Sequence, residues 1–146
     1  MARRFSERTQ AVLFLVILVV GIAGLYGWVQ ATQPPPVPPG TVRDVSLLID
    51  GGTWTTQYGP VTTTSNTPFL LLLEASQRLG FRVTWQNYTT PPGVFVMSIN
   101  GTANPSAGAG WQYWVGTTYG NVAANLVPLS DGDHVAWRCT TDQGGA

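Results

Sequence analysis

The chain has 146 residues, and its seven basic and seven acidic residues give a formal net charge of zero. Every basic residue is arginine, and three of the seven precede the first apolar segment. No basic patch remains downstream that could neutralise a phosphate backbone, which excludes a nucleic-acid-binding protein. The single cysteine, Cys139, excludes an intrachain disulfide and a cysteine-based metal cluster.

Residues 11–30 form an uncharged apolar segment, which the three arginines of residues 1–10 precede. About 20 apolar residues in a helix span the ~30 Å hydrocarbon core of a bilayer, and preceding arginines favour a cytoplasmic amino terminus. The pattern predicts a cytoplasmic basic tail at 1–10 and a transmembrane helix or signal anchor at 11–30. The lipid bilayer is then a partner, and the rest of the chain lies outside the cell. The alternative is a signal peptide cleaved near Ala31, which predicts a secreted domain.

A proline-rich linker is predicted at residues 31–40. Five of the eight residues 33–40 are proline, so this segment forms neither a helix nor a central strand. Polyproline II at ~3.1 Å per residue makes it a semi-rigid spacer of roughly 25 Å. We expect one folded domain at 41–142 and a flexible tail at 143–146.

Two strands joined by a tight turn are predicted at the start of the domain. Residues 41–50 alternate as a half-buried strand does, and Asp50-Gly51-Gly52 is typical of a hairpin turn. Residues 54–64 are rich in threonine, valine and aromatics, which predicts a second strand that Gly59-Pro60 interrupts. One face of the first strand carries its core residues: Val45, Leu47 and Ile49.

One helix is predicted within the domain. Thr67 suits the cap, residues 68–79 form the body and Gly80 suits the end. Glu74 and Arg78 are four residues apart and are expected to pair on the exposed side. The apolar stripe that faces the sheet is predicted to contain Phe69, Leu72, Leu73, Ser76 and Leu79.

Further strands are predicted at 81–88, 94–99, 111–115 and 134–140, with a flexible loop at 102–110. Strands before and after a single helix, without the spacing of βαβ units, favour an α+β domain. The expected sheet is mixed or antiparallel, with the one helix packed against it.

No catalytic grouping is apparent in the sequence. His134 is the only histidine, and no serine or cysteine stands in a motif with it. Strand alternation places His134 on one face with Ala136 and Arg138, and places Cys139 on the opposite face. We therefore predict that the protein is not an enzyme.

The segment Asp131-Gly132-Asp133 has two interpretations. Its spacing matches the start of a calcium loop, but the rest of that motif does not follow. Asp-Gly-Asp before a strand is more typical of a tight turn, in which aspartate bonds nearby backbone. The turn is the favoured interpretation, and no metal site is predicted.

The aromatic residues of the last third separate by strand face. Trp111 and Tyr113 point one way and are expected in the core, while Trp114 points the other way, near Tyr119. An exposed tryptophan can stack on a flat ligand or a sugar ring. The alternative is that the Gly116–Ala124 loop covers Trp114, which then only packs.

These segments together resemble the transcobalamin C-terminal-like domain family. The resemblance rests on Trp111-Gln112-Tyr113-Trp114-Val115, on Leu129-Ser130-Asp131-Gly132-Asp133 and on the Trp137-Arg138 strand that follows. The helix from Pro68 and the strand-turn segment Val96–Gly101 are also similar. The resemblance implies a β-grasp-like fold and a non-catalytic binding or interaction module at the cell surface.

In transcobalamin-type carriers this domain covers one face of a cobalamin that a larger helical domain holds. The resemblance therefore makes cobalamin or a related small molecule a possible ligand, although this chain lacks that helical partner. A cell-surface protein is the other possible partner, and a structural subunit of a cell-surface assembly is a further alternative. The candidate ligand-binding residues lie opposite the predicted core face: Trp114, Tyr119, His134 and Arg138.

Overall fold

The computed structural model describes residues 7–31, 39–105 and 110–141. The chain divides into two compact units, residues 1–34 and 35–146. Most of the predicted proline-rich linker, part of the predicted basic tail and part of the predicted 102–110 loop lie outside the described residues. The predicted tail at 143–146 lies outside them as well.

The first unit contains helix α1, Glu7–Ala31. Its apolar side chains from Val12 to Trp28 are exposed. In the part of the chain that the structure describes, no helix combines the length and the apolar character that a membrane span requires. The predicted transmembrane helix at 11–30 is therefore wrong on this finding, and the predicted bilayer partner loses its support.

The second unit is a mixed α+β domain. Helix α2 is Pro68–Leu79, and in the described residues of this unit two strands precede it and six follow it. The strands are β1 Val42–Asp50, β2 Thr55–Thr63, β3 Val83–Thr89, β4 Pro92–Ile99, β5 Thr102–Ala103, β6 Gly110–Val115, β7 Thr118–Tyr119 and β8 His134–Thr140.

These strands form two sheets, where the sequence predicted one. Five strands pair in the order β2-β1-β8-β6-β7, and β1 runs parallel to β8 while the other pairs are antiparallel. The other three strands form a separate antiparallel sheet in the order β3-β4-β5. The prediction of a single sheet with one packed helix is corrected accordingly.

The β1–β2 hairpin forms as its turn residues predict. Asp50 Oδ1 accepts a hydrogen bond from the Gly52 backbone N–H at 2.9 Å, which holds the turn. Further along, the pairing shifts register opposite Gly59, which has φ +95°. A side chain at Gly59 would lie 2.6 Å from the carbonyl oxygen of Val45, so only glycine fits where the strands approach so closely.

Helix α2 begins and ends at its predicted residues but presents a different face to the core. Thr67 Oγ1 accepts from the Leu70 backbone N–H at 3.1 Å, and Gly80 ends the helix in the left-handed region at φ +76°. Leu79 is 47% exposed, whereas Leu71 is fully buried. The buried side chains are Pro68, Phe69, Leu71, Leu72 and Ala75.

Glu74 faces strand β2 rather than open solvent. Its carboxylate accepts hydrogen bonds from the Tyr58 hydroxyl at 2.8 Å and from the Thr63 hydroxyl. Burial by itself raises the pKa of Glu74, but the hydrogen bonds from Thr63, Ser65 and Tyr58 together with the charge of Arg78 bring the pKa below its usual value. The carboxylate therefore joins the helix to β2.

The core is formed by α2, the inner face of the five-stranded sheet and buried residues of β3 and β4. Strand alternation places Val45, Leu47 and Ile49 there, and all three are buried, as predicted. The Tyr113 and Trp137 rings pack with their centroids 5.5 Å apart. Because these residues occupy the inner face, the alternate residues of the same strands point away from the core.

Candidate functional site

The candidate site is the outer face of the five-stranded sheet, on the side away from the core. The pairing register aligns one residue from each strand in a row across this face. The row contains Gln57, Leu48, Ala136, Trp114 and Tyr119. Leu48, Ala136, Trp114 and Tyr119 are half-buried and Gln57 is exposed, so the row forms an apolar strip that solvent reaches.

Trp114 lies between an aromatic ring and a cation. The Tyr119 ring packs against it edge-on, with centroids 5.5 Å apart and an interplanar angle of 63°. The Arg138 guanidinium carbon lies 5.1 Å from the centroid of the Trp114 ring, within the range of a cation–π contact. The structure thus brings together three of the four predicted residues and leaves Arg138 exposed at the edge of the group.

The two interpretations of Trp114 are both partly realised. The loop that follows β6 contributes Tyr119, which covers one side of the ring, so Trp114 does pack. The ring nevertheless remains half-exposed on a sheet face that α2 does not cover. A tryptophan in this position offers an apolar surface with a polar edge, a combination that ligand and protein contacts often use.

His134 lies apart from the other three predicted residues, near the opposite end of β8. Along β8, His134 is two residues from Ala136 and four residues from Arg138. Four residues of a strand span about 13 Å at ~3.3 Å per residue. Its imidazole Nδ1 is 2.5 Å from the hydroxyl oxygen of Ser46 on the parallel strand β1. These two residues line a cavity of about 250 Å³ together with Gln57 and Leu48.

A serine beside a histidine raises the question of nucleophilic catalysis. A catalytic serine also needs a group that orients the imidazole and donors that stabilise an oxyanion. Among the described residues, no carboxylate bonds the imidazole of His134, and the Ser46 backbone N–H is already donated to the Asp133 carbonyl at 3.0 Å. This geometry can orient a ligand by hydrogen bonding, but it lacks the partners of a nucleophile.

The Asp131–Asp133 segment forms a tight turn in the structure. Asp131 Oδ1 accepts from the Arg43 backbone N–H at 2.8 Å, and Asp133 Oδ2 accepts from the Ser130 backbone N–H at 2.8 Å. Gly132 has φ +82°, a conformation that favours glycine. Both carboxylates thus bond backbone, and within residues 7–31, 39–105 and 110–141 no three metal-binding side chains cluster.

Cys139 is a half-buried residue beside the core. It follows Arg138 on β8 and pairs with Trp111 on the inner side of the sheet, away from His134. Burial raises the pKa of its thiol, which favours the protonated, unreactive form. The structure therefore places the thiol and the imidazole apart, as the strand alternation predicted.

Sequence reasoning missed Ser46, Leu48 and Gln57 as members of this face. The signal was present for Ser46 and Leu48, because they alternate with the buried residues of β1. Their approach to His134 and Trp114 depends on the parallel pairing of β1 with β8, which joins segments 88 residues apart. No local pattern indicates that pairing.

Comparisons with known proteins identify one matching family model and a similar solved structure. Residues 79–141 match the model of a family described as a domain of unknown function, DUF4430, which is a transcobalamin-like family. This match covers β3 to β8 and agrees in part with the resemblance seen in the sequence. No curated protein matches the chain.

A crystal structure of a protein from Ruminococcus gnavus ATCC 29149 is also similar to this chain. A metal-binding role is provisionally attributed to that protein. The two share 18% sequence identity with a TM-score of 0.50, and the similarity covers 66% of this chain and 94% of that chain. At this identity the similarity shows a common fold alone; the chain is thus similar to DUF4430 domains in sequence and to the R. gnavus protein in fold.

Proposed function

We propose that this protein is a non-catalytic binding module that contacts its ligand through the outer face of the five-stranded sheet. The observation that carries the proposal is the position of Trp114, held between Tyr119 and Arg138 outside the core. A large aromatic ring is usually a core residue, and a half-exposed one with a cation beside it suits contact with a partner.

The ligand class that fits this group is a flat ring or a sugar ring with polar substituents. The Trp114 ring supplies a stacking surface, and Arg138 supplies hydrogen-bond donors at its edge. Leu48 and Ala136 extend the apolar strip toward Ser46 and His134, which add a hydroxyl and an imidazole. The face therefore combines an apolar centre with polar groups at two ends, as small-ligand sites commonly do.

The proposal is tested by comparing two tryptophan variants. A panel of oligosaccharides and flat heteroaromatic compounds is titrated against the full chain by ligand-detected NMR. Trp114→Ala is expected to weaken binding of any hit about 5- to 150-fold, because stacking of a flat base on an aromatic ring is worth ~1–3 kcal/mol. Trp85→Ala is the matched control, since Trp85 is also partly exposed but lies in the other sheet. Equal binding by both variants would refute the role of the outer face.

Cobalamin is the second candidate ligand. The sequence resemblance and the similarity to a transcobalamin-like family favour it. The full chain is incubated with cyanocobalamin and separated by gel filtration, and corrinoid absorption that elutes with the protein supports this candidate. Free elution of all the cyanocobalamin argues against it while leaving other flat ligands open.

A metal ion is a weaker candidate, although the similar R. gnavus protein carries a provisional metal-binding description. The acidic side chains of the Asp131–Asp133 turn already bond backbone N–H groups. The described residues therefore do not offer a ready set of metal ligands, and we do not extend that description to this chain.

A further inference from the structure

Strand β3 is an edge strand, because only β4 pairs with it in the three-stranded sheet. Its residues 85–89 are all exposed. The pairing of these residues with β4 continues without a register shift, since the one irregularity of this pair lies between Thr84 and Trp85. Residues 85–89 therefore form a regular and accessible strand edge, which we call the open edge of β3.

Alternation along the β3–β4 pair identifies the backbone groups that lie at the open edge. The Val94 N–H donates to Asn125 Oδ1 at 3.0 Å, so the backbone of Val94 points away from β3. Val94 pairs with Asn87, and hydrogen-bonded and non-bonded pairs alternate in an antiparallel ladder. Asn87 therefore directs its N–H and C=O outward. The same holds two positions to either side of it, at Trp85 and Thr89.

The open edge of β3 lacks the features that usually protect a sheet edge. Charged side chains, proline and bulges prevent another strand from adding to an exposed edge. Residues 85–89 contain no charged residue and no proline, and the whole segment 83–130 is uncharged. The edge strand β2, in contrast, contains Gly59-Pro60 and shifts register against β1. The backbone groups of β3 are thus available to a further strand.

The open edge of β3 is complementary to itself under a two-fold axis. Its three outward-facing residues are evenly spaced about Asn87. An antiparallel second copy in register at Asn87 therefore aligns Trp85 with Thr89 of that copy, and the outward N–H and C=O groups of both chains pair. A two-fold axis also brings identical side chains together, and the uncharged segment has no like charges that would repel each other.

Exposed aromatic surface lies beside the open edge and would be partly covered by a second copy. Tyr88 is 46% exposed and Phe95 is 49% exposed. The register pairs Phe95 with Gln86, so both rings lie on one face of the sheet. Pairing in register at Asn87 sets Gln86 against Tyr88 of the second copy. Cross-strand contacts of this kind stabilise the pairing of two strands.

We propose that this protein self-associates as a two-fold dimer through the open edge of β3, in register at Asn87. The three-stranded sheets of the two copies then join into one continuous antiparallel sheet. This surface is separate from the outer face of the five-stranded sheet, to which β3 contributes no residue.

The test measures the mass of the full chain by sedimentation equilibrium in a mild detergent, which covers the apolar surface of α1. Asn87→Lys and Asn87→Asp each set like charges against each other across the axis. Each is expected to raise the dissociation constant of the dimer about 10-fold or more. An equal mixture of the two variants should form dimers again, because opposite charges then meet. Thr62→Lys adds the same charge to an exposed position of β2 and should dimerise as the wild type does.

Each other result contradicts the proposal. A wild-type chain that stays monomeric would overturn the second copy as the occupant of this edge, in favour of a strand from a different chain. Association that neither charge variant weakens would place the contact elsewhere, since α1 is the same in every variant. A mixture that dimerises no better than each variant alone would contradict the register at Asn87.

Discussion

Gly120 is the residue at which a single added methyl group should be most informative. It follows β7 directly and lies against the ring of Tyr113. A Cβ built at Gly120 would lie 2.1 Å from Cζ and 2.3 Å from Cε1 of that ring. The ring cannot move aside freely, because it is buried and packs against Trp137 at 5.5 Å between centroids.

The expected cost of Gly120→Ala follows from these contacts. Overpacking a close-packed core costs about 1–3 kcal/mol. A displaced Tyr113 ring also loses its hydrogen bond to the Val122 carbonyl, which is worth about 1 kcal/mol. We therefore expect the free energy of unfolding to fall by about 2–4 kcal/mol, a large share of the ~5–15 kcal/mol typical of a domain. Urea unfolding followed by tryptophan fluorescence measures this change.

Two controls isolate the collision with Tyr113. In Gly110→Ala the new Cβ meets its nearest neighbour, Asn104 Oδ1, at 3.5 Å, an ordinary contact, so the expected cost is well under 2 kcal/mol. In a Tyr113→Leu background the ring is gone, so Gly120→Ala should cost much less than in the wild type. This account of the loop would be refuted if the Gly120→Ala protein were as stable as the wild type. It would also be refuted if Gly120→Ala lowered the free energy of unfolding as much in the Tyr113→Leu background as in the wild type.

Three further predictions concern other parts of the domain. Thr63→Val removes a hydroxyl that holds down the pKa of Glu74 and that also accepts the Ser65 backbone N–H. A lowered pKa stabilises the fold above the ordinary value of about 4.5, and this contribution is lost as the pH falls. The variant should therefore lose more stability at pH 7 than at pH 3 in urea unfolding, while Thr64→Val should show no such difference. Thr67→Ala removes the cap of α2 and should lower the free energy of unfolding by about 1 kcal/mol in the same assay. Iodoacetamide should modify Cys139 more slowly in the folded chain than in urea, because burial raises the pKa of the thiol; equal rates would contradict this.

The sequence predicted the local features of the domain well, because each depends on neighbouring residues. Alternation on β1 identified its buried face, and Asp50 with two glycines identified the hairpin turn. Thr67 and Gly80 marked the ends of α2 through a hydroxyl acceptor and a left-handed residue. Such signals need no knowledge of the tertiary structure.

The face of α2 was predicted less well, because it is decided by the sheets around the helix. Four leucines in succession at 70–73 leave the direction of the apolar stripe open. The structure buries Leu71 and Leu72 and leaves Leu70 and Leu79 exposed. Glu74 was expected on the solvent side, but Tyr58 and Thr63 of β2 give it hydrogen bonds that only the folded chain brings near.

The candidate site depends on pairing that the sequence does not indicate. Trp114, Tyr119 and Arg138 come from segments close in the chain, and their common face could be predicted from alternation. Ser46 joins His134 only because β1 lies parallel to β8. Alternation therefore predicts which residues share the aromatic side of this face, but it does not predict that Ser46 lies beside His134.

Asn104 explains why β4 and β6 lie in two separate sheets instead of one continuous sheet. Its Nδ2 donates to the Val96 carbonyl at 2.9 Å, and its Oδ1 accepts from the Trp111 backbone N–H at 2.8 Å. One side chain thus satisfies backbone groups of β4 and β6 that would otherwise pair with each other, and it holds the two strands apart. Buried backbone groups must find partners somewhere, and here an amide side chain provides them. In the sequence Asn104 is one polar residue in a segment rich in glycine and alanine, so the division into two sheets could not be predicted from it.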